Sequence, residues 1–180
     1  MRDIKDGYVC AVATREQMEQ KWEYEIGRHP SERKNWTVWK EEAVCGFLEG
    51  KAIPYYGVLH GEVICEATAV ISPDAVRHGE GLAGDGAVYL CAFRTNEPCR
   101  GKGYFSRLFA FMLDDLRKRG YRTATLGVEA GDRKNRAIYR HYGFTRYIRT
   151  ENDVYPDGSV ITAEYFAREI GDGAETTDEG

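Results

Sequence analysis

The chain has 180 residues, 42% of them hydrophobic, which allows one sizeable core and makes one domain the expectation. With a net charge of −4, no apolar stretch of 18 residues and no charged-then-apolar leader, it reads as neither a basic nucleic-acid binder nor a membrane-spanning or exported protein. Its five cysteines are odd in number, form no CxxC pair and mostly sit in apolar runs, so they read as reduced thiols of a cytoplasmic protein, with no disulfide framework and no metal.

Residues 8–13 predict a first strand. Thr14 caps the helix that follows, because Gln17 three residues later completes a capping-box pattern, and that helix runs to about residue 27. After a loop at His29-Pro30-Ser31, residues 35–48 predict a second helix, with Gly46 near its end and Gly50 after it. Residues 54–60 and 62–72 flank Gly61 as an antiparallel hairpin. The loop 73–86 holds Gly79-Glu80-Gly81-Leu82-Ala83-Gly84, a letter-for-letter G-x-G-x-x-G. A dinucleotide fingerprint leaves a strand and opens a helix, whereas this stretch leads into a strand, so the match is read as chance.

Residues 87–93 are seven apolar residues in succession, the pattern of a strand buried on both faces at the centre of a sheet. Thr95-Asn96-Glu97-Pro98 ends it, and Arg100-Gly101-Lys102-Gly103 follows. A helix over 104–119 carries Phe105, Leu108, Phe109, Met112 and Leu116 at helical spacing and stops at Gly120. A strand at 122–129, a helix at 132–142 and strands at 144–149 and 160–167 complete the pattern, the last two joined by a turn at Tyr155-Pro156-Asp157-Gly158. This mixture predicts an α+β fold over residues 1–170: a single domain with a central, mostly antiparallel twisted sheet flanked by helices. Residues 171–180 are acidic and lack apolar anchors, so a disordered tail is predicted there.

The glycine turn carries the chemistry. Two glycines two apart let successive backbone N–H groups converge, and the helix behind them turns its positive end towards the same point. Arg100 and Lys102 add full charges, so a pyrophosphate would meet donors, a dipole and two cations together. Residues 94–149 hold 14 Lys and Arg against 5 Asp and Glu, whereas residues 1–93 hold 10 against 15. The basic excess therefore coincides with the turn.

With the later segment Asn135-Arg136-Ala137-Ile138-Tyr139-Arg140-His141-Tyr142-Gly143-Phe144, this turn resembles the acetyl-CoA site of the GCN5-related N-acetyltransferase superfamily. That family's turn has the form [QR]-x-x-G-x-[GA], met by Arg100 and Gly103, with Phe105 departing at the third position. Its later Tyr-x-x-x-Gly-Phe is met by Tyr139, Gly143 and Phe144. The resemblance implies a GNAT-like fold and acetyl-CoA as co-substrate. By it, Phe93, Arg94 and Thr95 hold the pantetheine arm, and Arg100, Gly101, Lys102, Gly103, Tyr104, Phe105 and Ser106 hold the phosphates. The family's asparagine seven residues before the tyrosine is Asp132 here, while Asn135 stands four before it, so either contacts the cofactor alongside Tyr139.

Acetyl transfer to a primary amine, directly within a ternary complex, needs a neutral amine, a donor to the oxyanion and a proton for the departing thiolate. Tyr139, a phenol protonated at neutral pH, is the candidate acid; the alternative is an ordinary core tyrosine. Glu129 at a strand end is the candidate base, with Glu66 in reserve. In the family branch acting on protein N-termini, the strand glutamate falls at Gly127 here. The resemblance places the acceptor near Trp22, Trp36, Trp39, Tyr55 and Tyr56, in an acidic half suited to a cationic amine. A small-molecule amine is expected ahead of a protein, with no nucleic acid and no membrane; a homodimer is left open. The alternatives are a non-catalytic acyl-CoA-binding module and an anion or nucleic-acid binder.

Overall fold

In the computed structural model, which describes residues 7–171, the elements follow one another as β1 (Tyr8–Val12), α1 (Arg15–Arg28), α2 (Arg33–Leu48), β2 (Ala52–Leu59), β3 (Glu62–Val70), β4 (Ala87–Thr95), α3 (Tyr104–Lys118), β5 (Thr123–Glu129), α4 (Arg133–His141), β6 (Arg146–Val154) and β7 (Val160–Glu169). The tail predicted at 171–180 lies, apart from Gly171, outside the described residues. Among the described residues no helix is long and apolar enough to cross a membrane.

The strands form one sheet in the order β1-β2-β3-β4-β5-β7-β6. Every neighbouring pair is antiparallel except β4 with β5, whose parallel ladder runs only from Ala87↔Thr123 to Leu90↔Leu126. Beyond that point β4 stays with β3, as far as Cys65↔Thr95, while β5 stays with β7, as far as Glu129↔Ala163. The sheet therefore opens as a V at its centre. Ala92, at φ 56, takes the left-handed conformation beside a register shift between Glu66 and Thr68, and this bulge bends β4 away from β5.

The V corrects one expectation. Residues 87–93 do form the central strand, but only Val88 and Leu90 are buried, and Tyr89, Cys91, Ala92 and Phe93 are partly open. Tyr89 packs with Leu82 and Tyr165, and Phe93 with Phe105 and Phe109 of the helix after the glycine turn.

Helices cover both faces. The Thr14 side chain accepts from the Gln17 N–H and the Gln17 side chain from the Thr14 N–H, so the capping box opens α1 as its spacing predicts. Met18, Trp22 and Ile26 recur every fourth residue and pack with Trp36 and Tyr56. On the other face α3 buries Leu108, Phe109, Met112 and Leu116 against Tyr55, Ala67, Val88 and Leu90, each worth roughly 1.5–3 kcal/mol of transfer free energy. Gly120, at φ 93, ends α3, and the Tyr121 N–H donates to Leu116 O.

The glycine-letter match in the 73–86 loop has a structural role. Leu82 is fully buried with Ala163 and Tyr165, and the Thr125 hydroxyl donates to Leu82 O at 2.7 Å. This loop caps one face of the sheet and opens no helix.

A long-range clasp joins α2 to the β6–β7 turn. Asn35 is 1% exposed; its Nδ2 donates to Asp157 Oδ2 at 2.9 Å, and its Oδ1 accepts from the Asp157 N–H at 2.8 Å. Trp39 meets Tyr155 edge-on beside it at 5.1 Å. Asn35→Ala strips both bonds from a buried position and is expected to cost about 1–3 kcal/mol in urea denaturation. An unchanged midpoint would show that the clasp is energetically idle.

Candidate active site

The turn before α3 leaves its backbone open and its donors unengaged. Gly101 and Gly103 sit at φ 71 and 79, and a Cβ added at either would meet nothing within 4 Å, so the space in front of the backbone is open. The backbone N–H groups of residues 101–106 donate to no group among the described residues; the first bond of the helix is Arg107 N–H to Gly103 O at 3.2 Å. Unengaged donors at a helix N-terminus are the general chemistry of an anion site. Arg100 Nε donates to Thr95 O at 3.1 Å, fastening the turn to the end of β4, while Lys102 stands exposed. A groove of about 190 Å³ lies here between Thr95, Arg100, Gly103 and Ser106.

Phe105, the departure from the family pattern, turns towards β4: its ring lies 5.5 Å from Phe93 and 6.0 Å from Phe109. It sets the spacing of α3 from the strand and leaves the glycine cradle open.

The opening of the V is walled by α4. Tyr139 meets Phe93 edge-on at 5.6 Å, and Tyr142 packs on Phe109 at 4.5 Å while sharing a 2.8 Å hydrogen bond with Ser106. Gly143, at φ 87, stops α4, which lets the Phe144 N–H donate to Tyr139 O and the Phe144 ring reach the core. The Tyr-x-x-x-Gly-Phe letters thus hold α4 against the sheet. The Tyr139 hydroxyl has no hydrogen-bond partner among the described residues, and burial, with the Asp132 carboxylate adding to it, pushes its pKa up to about 12. Asp132 caps α4, accepting from Asn135 N at 3.0 Å and Asn135 Nδ2 at 2.6 Å. These two residues engage each other.

On the face opposite α3 lies a buried ionic cluster. Glu66 is 1% exposed and ion-paired with Arg94 Nε; burial pushes its carboxyl up, against the downward pull of Arg94 and Lys21. Lys21, equally enclosed, bonds Glu25 at 2.6 Å and Asn96 Oδ1 at 2.7 Å. The Arg94 guanidinium also stacks over Trp22 and Trp36, at 4.6 and 4.9 Å. Glu66 is therefore enclosed and paired, whereas Glu129 stands exposed at the end of β5. Burial pushes the Cys91 thiol up to about 12, which keeps it protonated.

Several site features carry no sequence signal. Arg94 sits at its expected place, but its side chain reaches the opposite face. Tyr89 hides inside the apolar run, yet a Cβ at Gly127 would lie 3.2 Å from its hydroxyl and 2.8 Å from the Tyr165 ring. A glutamate at 127 is thus excluded by two tyrosines. Of the aromatics expected around the acceptor, Tyr55 belongs to the α3 side, where its hydroxyl donates to Asp115 at 2.6 Å.

Comparison with known proteins bears on the whole chain. The model of the Acetyltransferase (GNAT) family matches residues 2–144. Among solved structures, the ribosomal-protein-S18-alanine N-acetyltransferase from Escherichia coli superposes with a TM-score of 0.65 at 15% identity, covering 94% of this chain and 97% of that one. Arabidopsis thaliana NAA60 in complex with a bisubstrate analogue gives 0.64 at 17% identity, covering 93% and 99%. yncA, a putative acetyltransferase from Salmonella typhimurium with its cofactor acetyl-CoA, gives 0.63 at 14%, covering 94% and 97%. No curated protein matches the sequence. With the family model spanning most of the sheet and both glycine-bearing segments, this chain belongs to the GNAT family, as an acetyl-CoA-dependent N-acetyltransferase.

Proposed function

We propose that the chain moves the acetyl group of acetyl-CoA to a primary amine of a small molecule by direct transfer, with both substrates bound at once. The observation that carries this reading is the free Tyr139 hydroxyl on the α4 wall of the V, beside a cradle of unengaged N–H groups. Bound there, acetyl-CoA supplies an acetyl group activated as a thioester. Backbone N–H groups of residues 101–106, with Arg100 and Lys102, hold the diphosphate. The inner edge of β4 beyond its ladder to β5, at Phe93 and Arg94, lines up the pantetheine amides as an added strand would. Tyr139 gives its proton to the departing sulfur, and Glu129 takes the proton of the amine through water.

The small-molecule preference rests on the clasp between Asn35 and Asp157, which draws the β6–β7 turn against α2. A second reading, acetylation of a protein N-terminus, is favoured by the activities named for two of the superposed enzymes. A thiol-release assay with acetyl-CoA across polyamines, aminoglycosides, amino acids and peptides decides between them. Release with small amines is expected. Release with peptides alone would replace the acceptor class, and tight acetyl-CoA binding without release to any amine would leave a non-catalytic binding module.

A further inference from the structure

Of the four α-helices, α4 is the one that buries none of its residues, although it carries Tyr139. Its sequence explains this, because Arg133, Lys134, Arg136, Arg140 and His141 take most of its length, and the apolar hold comes from the rings of Tyr139 and, just past its end, Tyr142. Among the described residues, three polar bonds tie α4 and its cap residue Tyr142 to other elements. Arg136 Nη1 donates to Glu164 at 2.8 Å and Arg168 Nη1 donates to Tyr142 O at 2.7 Å, both partners lying on β7, and the Tyr142 hydroxyl meets Ser106 Oγ at 2.8 Å. Of the three, the Ser106 bond alone reaches α3.

These bonds do different things. Those to β7 hold α4 against the sheet, whereas Ser106 belongs to the glycine turn: it lends the cradle an unengaged N–H and shares its hydroxyl with Tyr142. The rings between α3 and α4, Tyr142 with Phe109 at 4.5 Å and with Phe105 at 6.1 Å, keep the helices in contact but let them slide, because apolar contact has no preferred direction. A hydrogen bond weakens steeply once its angle is lost, so it fixes the register. Tyr139 lies three residues before Tyr142, on the same side of the helix, and moves with it.

We propose that Tyr142 is a positioning residue for acetyl transfer: its bond to Ser106 fixes α4, and with it the Tyr139 hydroxyl, relative to the cradle that holds the co-substrate. The proposal deepens, and rests on, the reading of Tyr139 as the acid. A misplacement of about 1 Å is enough to cost a large part of a rate, and the proton must reach a sulfur whose place is set from the α3 side. Tyr142 itself does no chemistry; it carries the position of one end of the site to the other.

The test places Tyr142→Phe in two backgrounds. In the wild type the change is expected to lower kcat about 3- to 10-fold, the scale of one hydrogen bond, and to leave the calorimetric affinity for acetyl-CoA unchanged. In Tyr139→Phe it should lower kcat no further, because the group being positioned is gone. An unchanged kcat in the first background, an equal loss in both, or a loss confined to acetyl-CoA affinity overturns the proposal. Ser106→Ala should match Tyr142→Phe in kcat and add nothing to it in the double variant; additive losses overturn the pairing. If Tyr139→Phe turns over at the wild-type rate, the acid reading falls, and hydrogen exchange then decides whether Tyr142 couples α4 to the cradle. Acetyl-CoA should slow exchange of the α4 amides in the wild type, and about 3- to 10-fold less in Tyr142→Phe, with residues 101–106 protected alike in both. Equal protection of α4 in the two proteins, or none in either, overturns the coupling.

Discussion

Tyr139→Phe is expected to bind acetyl-CoA nearly as well as the wild type and to lose roughly 10²-fold or more in kcat. The change removes one oxygen and leaves the ring, so the edge-on contact with Phe93 and the packing of α4 survive. The lost atom makes no hydrogen bond among the described residues, so no partner is left unpaired and stability should barely move. A phenol pushed up to about 12 by burial stays protonated across the working range, ready to donate as the carbon–sulfur bond breaks. Steady-state kinetics and calorimetric affinity, measured on one preparation, check both halves. Turnover at the wild-type rate would remove Tyr139 from the mechanism, and weakened binding with kcat intact would make it a binding residue.

Gly103→Val is expected to abolish the stabilisation that acetyl-CoA gives. At 100 times its dissociation constant a ligand adds about 2.7 kcal/mol, on the order of 5–10 °C in Tm for a domain of this size. At φ 79 a β-branched residue is strained. If the backbone holds, the side chain enters the empty space where phosphate would approach. If the backbone relaxes to negative φ, the N–H groups turn out of the cradle. Both routes destroy the site, and since no protein atom lies within 4 Å of the new Cβ, the rest of the fold has no reason to shift. Far-UV circular dichroism verifies folding, and thermal shift with millimolar acetyl-CoA gives the answer. A folded variant that still responds fully would place the phosphates elsewhere.

What the sequence made legible is what is encoded locally. The Thr14 capping box, the hairpin about Gly61, the α3 helix between Gly103 and Gly120 and the turn at 155–158 each rest on residues within a few positions of one another. The glycine cradle is of the same kind. Strand β6 runs to Val154, beyond the predicted 149, because Thr150-Glu151-Asn152-Asp153 at the sheet edge has no apolar signature. The opening between β4 and β5 was illegible for a different reason: an apolar residue on an unpaired stretch of strand reads the same as one on a paired stretch. The ionic cluster and the clasp on α2 depend on pairs as distant as Lys21 with Asn96 and Asn35 with Asp157, which no local pattern announces.

The position of β7 also orders events in time. It follows β6 in the chain yet lies between β5 and β6 in the sheet, so on a growing chain β5 has only its short ladder to β4 until β7 emerges. The first four strands form a sequential meander, and the cradle belongs to a helix that packs on three of them. The half that carries the glycine cradle can therefore assemble once residues up to 118 are made, whereas the half that carries Glu129 must wait for residues after 160. A nascent chain gains its glycine cradle before it gains the strand that fixes Glu129.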